Sequence, residues 1–264
     1  MTTRAQQVLV SVAAVLWVVG TLLGTGAIAG GGVASQGGGL FSDSATLIAP
    51  KGPAFSIWSV VYVGLAGYVV WQWLPQVAES RWARATRMPA AAAIALNGLW
   101  LLVVFAGWVW LSVVVILSIV LSLGLVLRST SGLPRQGWGA DVWVSATFGL
   151  YLGWVCVATC ANIASWLVGL GVDSDSTLST WITVAVLAVV TAIAAWLLSR
   201  TDQRPFQLGL AAAVVWGTAW VSAGRLTGEP RSDVVGVAAA IVAVAVAGLG
   251  VHAVARRRVP APAR

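Results

Sequence analysis

The chain has 264 residues, of which 59% are hydrophobic and only 9% are charged. Soluble domains contain roughly 25% charged and about 45–50% apolar residues, so this composition excludes an ordinary soluble domain and a disordered chain. A net charge of +7 indicates nucleic-acid binding only where basic residues cluster on a soluble face, and here they lie between long uncharged stretches. We therefore predict an all-α, polytopic membrane protein with no nucleic-acid partner.

The uncharged stretches divide into about eight helices, each near the roughly 20 residues that a membrane span needs. We place them, in chain order, at about residues 7–30, 53–75, 88–106, 108–128, 142–170, 177–199, 206–226 and 233–255. A Gly-rich loop follows the first helix and reaches Lys51 and Pro53. The uncharged run 88–127 is twice the spanning length, and we predict a tight hairpin at Gly107 within it.

The basic residues support this number of helices and orient them. Eight spans put both termini on one side of the membrane together with 12 of the 15 lysines and arginines, and leave on the other side only Lys51, Arg225 and Arg231. Because cytoplasmic loops are enriched in basic residues, we predict that both termini are cytoplasmic. The expected location is the bacterial inner membrane, with the lipid bilayer as a partner.

The predicted spans contain no charged residue near their middle, which disfavours proton-coupled transport and metal- or carboxylate-dependent hydrolysis. The sequence also lacks a cluster of metal ligands, so we predict neither catalytic nor metal-binding residues. Cys156 and Cys160 share one helical face, and we interpret them as packing residues.

Tryptophan is unusually frequent, with 16 residues against 3 tyrosines and 5 phenylalanines. Tryptophan is enriched at membrane interfaces, and we interpret eight residues near predicted helix ends as interfacial anchors: Trp71, Trp73, Trp82, Trp108, Trp110, Trp138, Trp143 and Trp181. Three others, Trp58, Trp100 and Trp154, lie within predicted spans and need a different explanation.

These inner tryptophans share helical faces with other aromatic and polar residues. The groups at three- or four-residue spacing are Phe55, Trp58 and Tyr62; Asn97 and Trp100; and Trp154, Ala158 and Asn162. An amide buried in a membrane needs a hydrogen-bond partner. The two asparagines therefore either join helices or supply polar groups to an aromatic pocket.

Three runs in these helices resemble the TspO/MBR family, the tryptophan-rich sensory proteins related to the mitochondrial translocator protein. Residues 151–166 (YLGWVCVATCANIASW) are close to the family pattern Y-L-A-W-x-x-F-A-T-x-L-N-x-x-x-W. Residues 55–62 (FSIWSVVY) resemble G-P-V-W-x-x-x-Y, and residues 95–100 (ALNGLW) resemble A-L-N-x-x-W. The resemblance covers about residues 7–170. We therefore predict a TspO-like five-helix bundle over residues 1–172, and three additional transmembrane helices with a basic tail over residues 173–264.

The resemblance implies a ligand pocket near the loop after the first helix. Members of the family bind porphyrins, and some bind sterols or synthetic aromatic ligands. We accordingly expect binding of a hydrophobic aromatic ligand (a porphyrin-like or other tetrapyrrole, or a lipid) for sensing or transport, with porphyrin as a ligand and no established cofactor. The predicted ligand-binding residues are Phe55, Trp58, Tyr62, Asn97, Trp100, Tyr151, Trp154, Ala158 and Asn162.

Two other functions stay open at this point. Some bacterial members of the family degrade protoporphyrin in the light with pocket tryptophans, so a light-dependent enzyme is one alternative. The other is a permease for a different small solute, with the last three helices forming part of its path. Family members often form homodimers, although no surface of this sequence requires one.

Overall fold

The computed structural model describes residues 1–24 and 32–256, and none of these residues forms a strand. Within these two ranges, eight helices are long and apolar enough to cross a membrane, which confirms the prediction of a polytopic helical bundle. They are α1 (Thr3–Gly24), α2 (Ile57–Trp71), α3 (Arg81–Phe105), α4 (Val109–Thr130), α5 (Trp138–Gly169), α6 (Thr177–Ser199), α7 (Arg204–Thr227) and α8 (Asp233–Ala255).

Three helices begin at least four residues earlier than the hydropathy pattern predicts, and α1, which begins at Thr3, is one of them. Helix α3 begins at Arg81 rather than near residue 88, because the Ser80 side chain caps it by accepting a hydrogen bond of 3.1 Å from the amide of Ala83. Helix α5 begins at Trp138 and contains a π-helical segment, Asp141–Ala146. The predicted end of the first helix, near residue 30, lies outside the described residues.

The predicted hairpin between the third and fourth helices is confirmed. Only residues 106–108 separate α3 from α4, and Gly107 has a φ of +73°. Glycine adopts this left-handed conformation without the steric cost that a Cβ atom brings.

Glycines bring the helix backbones into direct contact at two interfaces. A Cβ atom on Gly98 of α3 would lie 2.4 Å from the carbonyl oxygen of Leu16 on α1. Between α5 and α7, a Cβ atom on Gly149 would lie 2.3 Å from the carbonyl oxygen of Phe206. Small residues of this kind allow close helix packing in membranes. Helix α7 is thus packed against α5, and α8 packs on α7 and α6.

Seven of the eight proposed tryptophan anchors divide into two groups, and the eighth, Trp143, is half-buried. Trp73, Trp108, Trp110, Trp138 and Trp181 are exposed, as interfacial anchors should be. Trp71 and Trp82 are buried, so their assignment as anchors is wrong. The early start of α3 explains Trp82, since it places this side chain inside the bundle, where its indole N–H donates to the carbonyl of Pro134 at 2.8 Å.

The loop between α4 and α5 is held by an ion pair. Arg135, in this loop, pairs with Asp141 in the first turns of α5. The hydrogen bond to this carboxylate and its negative charge raise the pKa of the Arg135 guanidinium.

Candidate functional site

A segment between α1 and α2 covers one end of the bundle, and we call residues 32–56 the roof. It contains two short helical turns, Val33–Gly39 and Gly52–Ser56. Between them, residues 46–50 are buried against the helices. The central residues of the roof are therefore packed against the helix bundle.

An aromatic cavity of about 50 Å³ lies beneath the roof. Its wall contains seven of the nine predicted ligand-binding residues: Phe55, Trp58, Asn97, Trp100, Trp154, Ala158 and Asn162. The remaining wall residues are Val33, Phe41, Ser42, Ala49 and Pro50 of the roof, Ile116 and Ile119 of α4, and Val155, Ala161 and Ser165 of α5. The cavity thus brings together all three motif-bearing helices.

The other two predicted residues, Tyr62 and Tyr151, are not among the residues that line the cavity. Both contact the ring of Trp58, with centroid distances of 5.3 Å for Tyr62 and 5.6 Å for Tyr151. The tyrosines therefore support a wall residue and do not form the wall themselves.

The aromatic rings at the cavity pack on one another. Trp58 and Trp154 meet edge to face with centroids 6.2 Å apart, and Phe55 meets Trp154 in the same way at 5.8 Å. Each such contact contributes about 0.5–1.5 kcal/mol beyond the area that it buries. These contacts explain the small volume, which is enough for one or two water molecules at about 30 Å³ each. Pockets for drug-sized ligands occupy about 300–1,000 Å³, so the wall residues are packed too closely to admit such a ligand, and we call this arrangement closed.

Asn162 joins three helices through its side chain. Its Oδ1 accepts a hydrogen bond of 3.1 Å from the indole of Trp100 on α3, and its Nδ2 donates to Ser112 Oγ on α4 at 2.7 Å. The first of the two roles considered for the asparagines, joining helices, therefore applies to Asn162.

Asn97 also joins two helices, α2 and α3, but through its Oδ1 alone. Its Oδ1 accepts a hydrogen bond of 3.3 Å from the hydroxyl of Tyr62. Its Nδ2 is buried and has no hydrogen-bond partner among the described residues, and the same holds for Nε1 of Trp154. Since a buried donor without a partner costs about 1–3 kcal/mol, these two groups are suited to an acceptor on a ligand or a water molecule.

Sequence reasoning missed two parts of the wall. Ala161 and Ser165 continue the face of α5 that carries Trp154 and Ala158, so a longer helical stripe would have found them. The roof residues and the two isoleucines of α4 gave no such signal, because they have no periodic or polar pattern that distinguishes them.

Two other features lie apart from this cavity. A larger cleft of about 930 Å³ is formed at the opposite end of the bundle by α6, α7 and α8, with the exposed Arg204, His252 and Arg256 among its lining residues. Cys156 and Cys160 are partly buried and outside the aromatic cavity, and Cys160 Sγ donates to the carbonyl of Cys156 at 3.4 Å.

A family model described as TSPO-like protein matches residues 7–252 of the chain. The match extends past the motif-bearing region and includes most of α8, so it covers the three C-terminal helices as well. Searches of curated proteins and of solved structures found no match. With nearly the whole length matched, this eight-helix membrane protein belongs to the TSPO-like protein family.

Proposed function

We propose that the protein binds a hydrophobic aromatic ligand in the cavity beneath the roof, for sensing or transport. The observation that supports this most directly is the wall itself, where Trp58, Trp100 and Trp154 from three helices surround one small space. Tryptophan faces stack on flat aromatic molecules, and pockets of this kind combine apolar walls with a few fixed polar groups. Asn97 supplies such a polar group through Nδ2, which has no hydrogen-bond partner in the described part of the chain.

A porphyrin-like tetrapyrrole is the ligand that we propose first, because it is flat, aromatic and carries polar acceptors. Its size sets a condition, since a cavity of about 50 Å³ cannot contain it. Binding requires the roof to move and the edge-to-face contact between Trp58 and Trp154 to separate. The measured affinity would then include the free energy of opening, because a ligand shifts the equilibrium only by its differential affinity for the open state.

The side of the membrane from which the ligand enters depends on the orientation of the protein. If both termini are cytoplasmic, the roof faces the outer side of the membrane. We therefore propose that the ligand reaches the cavity from that side. A homodimer also stays a proposal, which the mass of the purified protein in detergent would test.

Titration of the purified protein with protoporphyrin IX tests the site. We expect saturable binding in porphyrin absorbance, weakened at least tenfold by the double substitution Trp58→Ala and Trp154→Ala, because two stacking surfaces are removed. Ala158→Leu should also weaken binding, since the larger side chain fills the cavity. The matched controls are Trp181→Phe and Ala188→Leu, at exposed positions of α6, which should bind as the unmodified protein does.

Unchanged affinity in the double variant and in Ala158→Leu would show that the ligand binds elsewhere. Illumination of the complex separates binding from catalysis. A new absorbing product that forms in the unmodified protein, and not in the double variant, would favour the light-dependent enzyme over sensing or transport.

A further inference from the structure

Helix α7 holds the roof although it supplies no residue to the wall of the aromatic cavity. All the wall residues that the structure describes come from the roof and helices α2 to α5. Three separate stretches of the roof are nevertheless bonded to α7, which belongs to the C-terminal part of the chain.

The strongest of these attachments comes from Arg225, near the end of α7. The side chain is buried, with 1% of its surface exposed. Its guanidinium donates to the carbonyl oxygens of Asp43 at 2.7 Å and Thr46 at 3.1 Å, both in the roof. It also donates to the carbonyl of Glu229 at 3.3 Å. Hydrogen bonds from a charged donor are stronger than those between neutral groups, so Arg225 fixes the middle of the roof.

Two further attachments fix the second half. The indole N–H of Trp216 donates to the carbonyl of Ala54 at 2.8 Å. The backbone amide of Lys51 donates to the carbonyl of Trp220 at 3.2 Å, and the Lys51 ammonium donates to Thr227 Oγ1 at 3.2 Å.

The attached residues alternate along the chain with those that face the cavity. Asp43 follows the wall residue Ser42, Lys51 follows the wall residue Pro50, and Ala54 precedes the wall residue Phe55. Three of the wall residues of the roof, Ser42, Pro50 and Phe55, are therefore directly next to a bond to α7. Because α7 also packs backbone to backbone on α5, the roof is held at a fixed distance from Trp154.

We propose that α7 keeps the aromatic cavity closed, and that Arg225 is a positioning residue that controls how fast a hydrophobic ligand enters and leaves. This assigns a role in ligand access to the C-terminal helices. The kinetic part rests on the function proposed above. The closure of the cavity does not, and it can be measured without a ligand.

Stopped-flow mixing with protoporphyrin IX tests the kinetic part. In Arg225→Gln and in Trp216→Phe we expect association and dissociation to accelerate at least fivefold, since a released roof opens more often. A purely structural role would lower the melting temperature without raising both rates. The controls are Arg204→Gln, an exposed arginine at the other end of α7, and Trp181→Phe.

Thiol labelling tests closure without a ligand. In a background with Cys156→Ala and Cys160→Ala, the variant Ala158→Cys places a thiol on the cavity wall. We expect a water-soluble maleimide to label it slowly, and at least tenfold faster when Arg225→Gln or Trp216→Phe is added. A thiol at the exposed Thr177 (Thr177→Cys) should react at one rate in all backgrounds.

The outcomes separate the two proposals. Faster labelling without porphyrin binding would reject the proposed ligand and keep the role of α7. Labelling that stays slow in both variants would overturn the role of α7, even if porphyrin binds. If Arg225→Gln does not fold, Trp216→Phe and Lys51→Met decide the question, because each removes a single hydrogen bond from the roof.

Discussion

Gly153→Ala is expected to lower the stability of the protein strongly. A Cβ atom at this position of α5 would lie 2.4 Å from the carbonyl oxygen of Leu210 and 2.9 Å from the Cβ of Ala213, both on α7. Neither neighbour can rotate away, because one is backbone and the other is the first atom of its side chain. The two helices would have to separate, which we expect to cost about 2–3 kcal/mol, near the upper part of the range for overpacked sites.

Thermal unfolding in detergent measures this effect, and the chain offers a matched control. Gly124 is also within a helix, but a Cβ atom there would have no atom within 4 Å. Gly124→Ala should therefore leave stability unchanged or raise it by up to about 1 kcal/mol, since alanine is the better helix former. Equal melting temperatures for the two variants would contradict the close contact of α5 with α7.

Arg87→Met is expected to have the second-largest effect on stability. Arg87 lies in the first turns of α3 with no exposed surface. Its guanidinium donates to Gln72 Oε1 at 3.1 Å and to the Gln72 carbonyl at 3.2 Å, and also to the carbonyl of Ala78. Gln72 in turn accepts a hydrogen bond of 2.8 Å from Gln7 on α1. One side chain thus connects the beginnings of α1 and α3 with the turn after α2.

The expected loss of stability in Arg87→Met is the difference between two opposing free-energy contributions. Methionine keeps the apolar length but leaves the acceptors without their charged donor, at about 1.5–3 kcal/mol per hydrogen bond. Removing the charge also removes its burial cost, which offsets part of the loss. We expect a net loss of about 2 kcal/mol for Arg87→Met, measured as a lower melting temperature.

Arg84→Met is the matched control for this prediction. Arg84 lies on the same helix and is exposed, so the same substitution should change stability by less than about 0.5 kcal/mol. If Arg87→Met proved as stable as Arg84→Met, the guanidinium would contribute nothing to the junction of these helices.

The sequence predicted the spans well where hydropathy alone sets the helix. The ends of α6 and α8 agree with prediction because charged or capping residues lie directly beside the apolar run. It failed at the start of α3, where Ser80 caps a helix whose first turns carry arginines. The hydropathy pattern predicts a loop at these residues. A capped helix can nevertheless include them when their side chains form hydrogen bonds with the rest of the protein.

The sequence also predicted most of the wall of the aromatic cavity. Trp58, Asn97 and Trp154 were found because helical spacing places them on one face of each helix, and the family motifs include them. It could not distinguish Asn162, whose Oδ1 and Nδ2 both bond to other helices, from Asn97, whose Nδ2 has no partner among the described residues. That difference depends on Ser112 and Tyr62, which come from other helices.

By itself, the sequence determined the membrane class, the eight helices and the three aromatic faces, because these follow from local composition and from the period of the helix. Only the tertiary structure decided that the cavity is closed and that α7 holds its roof. Arg225 and Asp43 are far apart in the chain, and their bond uses a backbone carbonyl that every residue possesses. No pattern of side chains along the sequence predicts such a contact, because the contact forms only after α5 and α7 have packed together.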